Sequence, residues 1–329
     1  GFVGDLTNME SSFIFKEFLE RTIDTKKYDF RSSKRFIDNS KRENYLFNSS
    51  INGIEEADLI LLIGTNPRFE ATMINARIRK AYLSNNTKVV SLNDLGDLTY
   101  SYQSLNGKVK TIKDIFENNN ELSKEIIESK KPMIVFGESF FKIKSASHLF
   151  NLSKKFLSKN NKLNDDWNPI NILSVDAATV GNLDLDIIDK NNKILDELHE
   201  NKFEIIFLLG QDNLDFKKKD EFIIYQGSHG DRGAEIADII LPGAAYTEQS
   251  GHYTNLEGKL QKAYKASYPP GDAKEDWQII NDLAEVMNNR KLFNDKDELE
   301  SSMFNYLKMN KDQQNTELDD KLNETDFAD

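Results

Sequence analysis

Leu59-Ile60-Leu61-Leu62-Ile63-Gly64-Thr65-Asn66-Pro67-Arg68 is the stretch that decides the fold class. Five consecutive apolar residues without polar alternation read as a strand buried on both faces, and Gly64 and Pro67 punctuate the turn that follows. Beyond the turn, Ile74, Ile78 and Tyr82 recur at helical spacing with Met73, Ala76 and Ala81 beside them, while Arg77, Arg79 and Lys80 face elsewhere. The stretch reads as strand, tight turn and helix. Similar apolar runs occupy residues 89–92, 133–136, 171–175, 205–209, 222–225 and 239–241. Between them, helices are expected from near Glu10 (carrying Phe13, Phe18 and Leu19), over 145–158, over 187–199, and after Asp272 with Trp277, Ile280, Leu283 and Ala284 on one face. Short unbroken strands alternating with amphipathic helices predict an α/β chain of Rossmann-like lobes, with largely parallel sheets covered on both sides.

The connection Ser129-Lys130-Lys131-Pro132 before a new strand suggests a division there. The expected organisation is a first lobe over 1–130, a second over 131–288, and a short helix near 298–307 followed by a charged tail within 289–329. The polar stretch 160–168 reads as a surface connection, and Asn118-Asn119-Asn120 as a turn. The start, Gly1-Phe2-Val3-Gly4-Asp5, lacks an initiator Met or signal pattern and resembles a strand end running into a turn, as a cut or processed chain would.

Composition narrows the chemistry. The 329 residues contain no cysteine, which excludes disulfides, thiolate nucleophiles and Cys-ligated zinc or iron–sulfur sites within them. A net charge of −12 opposes binding to a nucleic-acid backbone, and no run reaches the roughly 20 apolar residues of a bilayer span. Twenty-one Phe and eleven Tyr supply core-forming side chains that disordered chains lack.

The most suggestive local feature is Tyr225-Gln226-Gly227-Ser228-His229-Gly230-Asp231-Arg232-Gly233, a glycine-rich turn after a buried strand. Such a turn can bring backbone N–H groups up to a phosphate or cofactor, which makes Gly227, His229, Gly230, Asp231 and Gly233 cleft-loop candidates. The spacing matches neither the dinucleotide fingerprint nor the P-loop, and glycines relieving strain at positive φ form the simpler reading. The turn Gly64 to Arg68 is a second anion-site candidate, with Arg68 as counter-charge, against a plain capped turn. His148 and His199 are expected to be solvated, Ser139 to be an N-cap, and Asp184, Asp186 and Asp189 to form a solvated face. No catalytic residue and no metal ligand is assigned.

Two segments carry a family resemblance. Asn44-Tyr45-Leu46-Phe47-Asn48-Ser49-Ser50-Ile51 leads through Gly53-Ile54-Glu55-Glu56-Ala57-Asp58 and the opening strand to Gly64-Thr65-Asn66-Pro67-Arg68-Phe69-Glu70-Ala71 and Asn75-Ala76-Arg77-Ile78-Arg79-Lys80. The second runs Ile224-Tyr225-Gln226-Gly227-Ser228-His229-Gly230-Asp231-Arg232-Gly233-Ala234, then Ile236 to Glu248 with Leu241-Pro242-Gly243-Ala244-Ala245-Tyr246, Tyr253-Thr254-Asn255-Leu256-Glu257-Gly258, Pro269-Pro270-Gly271 and Lys274-Glu275-Asp276-Trp277. In order and spacing, from about Gly4 to Met287, the chain resembles the large iron–sulfur subunit of respiratory complex I, the NADH:quinone oxidoreductase.

The resemblance implies a molybdopterin-oxidoreductase-like fold, shared with formate dehydrogenases, without the N-terminal iron–sulfur domains. It implies no cofactor in this chain, with clusters on a Cys-rich N-terminal half that would precede Gly1, since one-electron transfer needs a redox centre that no side chain here holds. The implied role is structural: a scaffold within the proton-translocating NADH:ubiquinone oxidoreductase, packed against that half and other peripheral-arm subunits, at the matrix side of the mitochondrial inner membrane or the cytoplasmic face of a bacterial one. A free-standing pterin- or nucleotide-binding oxidoreductase module and an assembly factor of the same fold are the alternatives.

Overall fold

The computed structural model describes residues 1–313. Its strands are β1 (Phe2–Val3), β2 (Leu59–Ile63), β3 (Lys88–Ser91), β4 (Gln103–Ser104), β5 (Pro132–Gly137), β6 (Ile170–Leu173), β7 (Ile205–Leu209), β8 (Phe222–Gly227), β9 (Ile239–Pro242), β10 (Gly251–Thr254) and β11 (Leu260–Ala263). Its helices are α1 (Met9–Arg21), α2 (Pro67–Glu70), α3 (Thr72–Asn85), α4 (Val109–Phe116), α5 (Glu121–Glu128), α6 (Glu138–Phe141), α7 (Ala146–Lys159), α8 (Thr179–Asp184), α9 (Lys193–His199), α10 (Arg232–Ile236), α11 (Asp276–Asn288) and α12 (Lys296–Gln313).

The chain forms two compact units. Unit one combines Gly1–Lys34, Asp176–Asn255 and the described residues from Lys259 onward; unit two combines Arg35–Val175 with Leu256–Gly258. The structure thus draws its boundaries elsewhere than residue 130. The connection at 129–132 lies inside unit two, because β5 pairs with β2 along five registered residues and belongs to the same sheet. A proline and a lysine pair mark a tight turn, and nothing local tells a turn within a sheet from one between units. The charged tail expected at the end lies, from residue 314, outside the described residues; α12 is longer than the expected helix.

Unit two carries an all-parallel sheet in the order β4-β3-β2-β5-β6. Every residue of β2 and β5 is buried. Leu59, Leu61 and Ile63 enter one core with Phe136, Phe140 and Phe150, while Ile60 and Leu62 enter another with Ile74, Ile78 and Trp167, so both faces are covered. Phe136 anchors the first core, its ring 4.8 Å from that of Phe140 and 5.5 Å from that of Phe150. On α3, Ile74, Ile78 and Ala81 face inward, whereas Met73 and Ala76 are exposed.

Unit one has a parallel sheet, β1-β7-β8-β9, and the antiparallel hairpin β10-β11. Ile206, Leu208, Ile223 and Tyr225 pack with Ile194, Leu195 and Leu198 of α9 on one face. On the other, Phe15 and Phe18 of α1 meet Phe207 edge-on. Cover is incomplete at the edge, where Ile239 and Ile240 of β9 are exposed. The helix expected over 187–199 is confined to α9, residues 187–192 forming a connection from α8 instead. Between them Asp186 and Asn192 adopt left-handed backbone, φ 56° and 55°, which no helix continues through.

Candidate functional site

In doubly wound sheets a ligand sits beyond the carboxyl ends of the strands, where the strand order reverses. Unit two reverses between β2 and β5, and there the crevice is shut. Gly64 has φ 66°, and a Cβ on it would lie 2.5 Å from the backbone nitrogen of Phe140. A Cβ on Gly137 would lie 2.4 Å from the Gly64 carbonyl oxygen. Ser139 Oγ donates to that carbonyl at 2.5 Å, so Ser139 seals the crevice; Gly137 holds the N-cap position expected of it. The anion candidate is likewise occupied from within. Glu70 accepts from Thr65 Oγ1 at 2.6 Å and from the Asn66 backbone N–H at 3.2 Å, while Arg68 pairs with Asp97 at 2.7 Å. The Asn66 side chain caps Arg68 N–H, which is the capped-turn reading.

Unit one places a glycine at the end of each strand of its parallel sheet: Gly4, Gly210, Gly227 and Gly243. A Cβ on Gly4 would meet the Gly210 carbonyl oxygen at 1.7 Å. The loop after β8 brings Gly227 and Gly233 onto the Tyr225 ring, where added Cβ atoms would lie 2.4 Å and 2.5 Å from ring or hydroxyl atoms. Neither glycine has positive φ, so the strain reading of this loop is corrected: the glycines make room for an aromatic side chain. Gly230 has nothing within 4 Å, and His229 and Asp231 are exposed, with His229 Nδ1 2.8 Å from Ser228 Oγ.

Asp212 ties the loop down, accepting from Tyr225 OH at 3.1 Å and from Gly233 N–H at 2.9 Å. Burial, with the Asp212 and Asp231 carboxylates nearby, pushes the Tyr225 phenol far above its ordinary range. Behind the loop, the buried Asp276 carboxylate accepts from Gln226 Nε2 at 2.9 Å and from Gln249 Nε2 at 2.8 Å. Burial raises the Asp276 pKa despite these two hydrogen bonds. Gln249 Nε2 also donates to the Ala244 carbonyl, and a Cβ on Gly243 would strike Asp276 Oδ1 at 2.5 Å. The segment after β9 is thereby closed onto the end of β8. Arg232, the loop's cation, bonds Asp215 at 3.0 Å on the surface.

Other sequence candidates fall apart. His148 is half-buried and not fully solvated, whereas His199 is exposed. Asp184 is buried, and Asp189 accepts from the backbone N–H groups of Asn191 and Ile194, so these residues do not form a solvated face. The structure also assembles a group that spacing could not reveal: Glu10 and His252, 242 positions apart, with Glu300.

Parallel sheets with glycine-lined strand ends place the chain among doubly wound α/β proteins built around cofactor clefts. The molybdopterin oxidoreductase family model matches residues 1–286, and the chain belongs to that family. It is 39% identical over 305 residues to the NADH-ubiquinone oxidoreductase 75 kDa subunit of Reclinomonas americana, covering 88% of this chain and 44% of that protein. It is 40% identical over 287 residues to an NADH-quinone oxidoreductase subunit of Rickettsia bellii, covering 87% and 41%. Against the mitochondrial 78 kDa subunit of the Candida albicans NADH-ubiquinone oxidoreductase it is 41% identical over 257 residues, covering 77% and 35%. The chain therefore spans less than half the length of these relatives.

The family name implies a pterin bearing molybdenum. Within each unit the residues do not fit one. The strand-end openings are closed by backbone, Ser139, Tyr225 and the Gln226–Asp276–Gln249 chain. The groups facing them are Glu70, Asp212 and Asp276, carboxylates where a cofactor phosphate requires cations or free N–H groups.

Proposed function

We propose that this chain is the pterin-fold portion of the large iron–sulfur subunit of respiratory complex I, acting as a scaffold in the peripheral arm. One observation carries the reading: strand ends shaped like cofactor clefts are filled by the protein's own side chains, in a chain colinear with relatives named as subunits of that enzyme. Gly227, His229, Gly230, Asp231 and Gly233 are then a vestigial cleft loop. NADH oxidation and quinone reduction take place on other subunits, and the iron–sulfur clusters lie on a cluster-bearing half. The chain packs against that half and its neighbours on the matrix side of the mitochondrial inner membrane. No helix among the described residues is long and apolar enough to cross a membrane.

The surface of unit one supports a packing role. Ile205 is 63% exposed, Ile240 54% and Val286 81%. Phe18, Ile23, Phe203, Ile205, Leu283 and Met287 line an apolar groove of about 270 Å³. Metal and cofactor analysis of the purified chain tests the reading: it predicts neither molybdenum nor nucleotide, and stoichiometric amounts of either would overturn it in favour of a free-standing cofactor module.

A further inference from the structure

Glu10, His252 and Glu300 each offer a ligand atom, and these atoms lie within 4.8 Å of one another, inside unit one. The residues come from α1, β10 and α12. Glu10 and His252 are buried and Glu300 is partly so. Glu10 Oε1 stands 2.5 Å from His252 Nδ1, and Glu10 Oε2 accepts from the His252 backbone N–H at 2.7 Å. Phe304, also on α12, sets its ring edge-on to the imidazole at 5.1 Å and shields that side from water. The cation facing Glu300 is Lys262, with Nζ at 3.1 Å and 3.2 Å from its two oxygens.

We propose that Glu10, His252 and Glu300 form a binding site for a divalent transition-metal ion, of which Zn²⁺ is the best match. One imidazole nitrogen and two carboxylate oxygens are a ligand set that zinc accepts, and three protein ligands leave a fourth position for water. Zinc–nitrogen and zinc–oxygen distances of about 2.0–2.2 Å place two ligands of one tetrahedral ion roughly 3.4 Å apart. The Glu10–His252 pair therefore opens by less than ~1 Å, a side-chain adjustment. Coordination through His252 Nδ1 uses that nitrogen's lone pair, so the bound ring is neutral with its hydrogen on Nε2, and any proton displaced by the metal passes to bulk water. Charge then balances without Lys262, because two carboxylates and one divalent ion sum to zero. Lys262, on the exposed strand β11, swings its flexible stem into solvent. Occupancy ties α1, the hairpin and α12 together at one point.

Calorimetric titration of the metal-stripped 329-residue chain with Zn²⁺ tests this. One ion per chain is expected. Glu300→Gln, isosteric and at a half-buried position, should weaken binding at least tenfold. Lys262→Met should tighten it, since the competitor for Glu300 is gone; a mere ionic clasp gives no such gain. His229→Ala, at an exposed imidazole elsewhere, should leave the affinity unchanged. His252→Ala leaves Glu10 buried without its partner, so it is read only if circular dichroism shows the native fold. The proposal is overturned by the absence of a stoichiometric site, by Glu300→Gln binding as well as the parent, by Lys262→Met failing to tighten binding, or by loss of the site in His229→Ala.

Discussion

Gly64 shows how one residue closes a cofactor fold. Its positive φ requires glycine or a strained substitute, and its missing Cβ lets Phe140 approach. Gly64→Ala therefore adds backbone strain to overpacking and should cost about 2–4 kcal/mol in urea denaturation. The loop after β8 gives a sharper contrast. Gly233→Ala drives a methyl into the Tyr225 ring and should cost about 1–3 kcal/mol, whereas Gly230→Ala points into open space and should stay within about 0.5 kcal/mol. A loop whose glycines served a phosphate cradle would show no such dependence on Tyr225, and the double variant Gly233→Ala with Tyr225→Leu should recover part of the loss. The presence of three glycines was plain in the sequence. The purpose of Gly227 and Gly233 was not, because the ring these two make room for belongs to β8 itself and its direction depends on the pleat.

At the scale of elements, the Asp58 carboxylate fastens the connection from α5 into β5. It accepts from Ser129 Oγ and from the backbone N–H groups of Lys130 and Lys131. Burial works against the charged form, yet these hydrogen bonds hold the pKa of Asp58 below the ordinary aspartate value. The stability it contributes is present above that ordinary value and is lost as pH falls through the depressed one. Asp276 has the opposite sign: its raised pKa gives a contribution present below the ordinary value and lost as pH rises through the raised one. In thermal unfolding between pH 3 and 7, Asp58→Asn should flatten the acid-side loss, and Asp276→Asn should flatten the loss on the rising side. Changes of the same sign in both variants would contradict these assignments.

Unbroken apolar runs made β2, β3, β5, β7 and β8 legible, since burial on both faces demands continuous apolar residues; β9 is as apolar but lies exposed at the sheet edge. β11, Leu260-Gln261-Lys262-Ala263, was invisible for the converse reason: it is exposed throughout and is held by pairing with β10. β1 and β4, at two residues each, are too short to leave a periodic signal. That helix α9 begins only at Lys193 was hidden because Asn192 is tolerated in helices as well as at left-handed turns.

For the molecule as a whole, the sequence disclosed the α/β class and the family, whereas the division into units was beyond its reach. Unit one is assembled from three separated segments, and such crossovers are set by long-range strand pairing such as Phe2 with Leu208. The cluster of Glu10, His252 and Glu300 was illegible for the same reason. Zero cysteines and closed strand ends fit a chain that supports redox chemistry held elsewhere. On the proposed scaffold role, its apolar exposure belongs to packing. Ile240→Lys, on the open edge strand, should leave the stability of the isolated chain within about 0.5 kcal/mol while weakening its retention in the assembly. Both are read on one preparation, by denaturation and by native gel.

The scaffold account is tested most directly by purifying the native assembly through a tag on this chain, then measuring NADH dehydrogenase activity and iron–sulfur content across the fractions. The account predicts stoichiometric co-migration of the chain with both, the iron residing in other polypeptides. Recovery of the chain free of the NADH-oxidising fraction, or in trace amounts only, would contradict it.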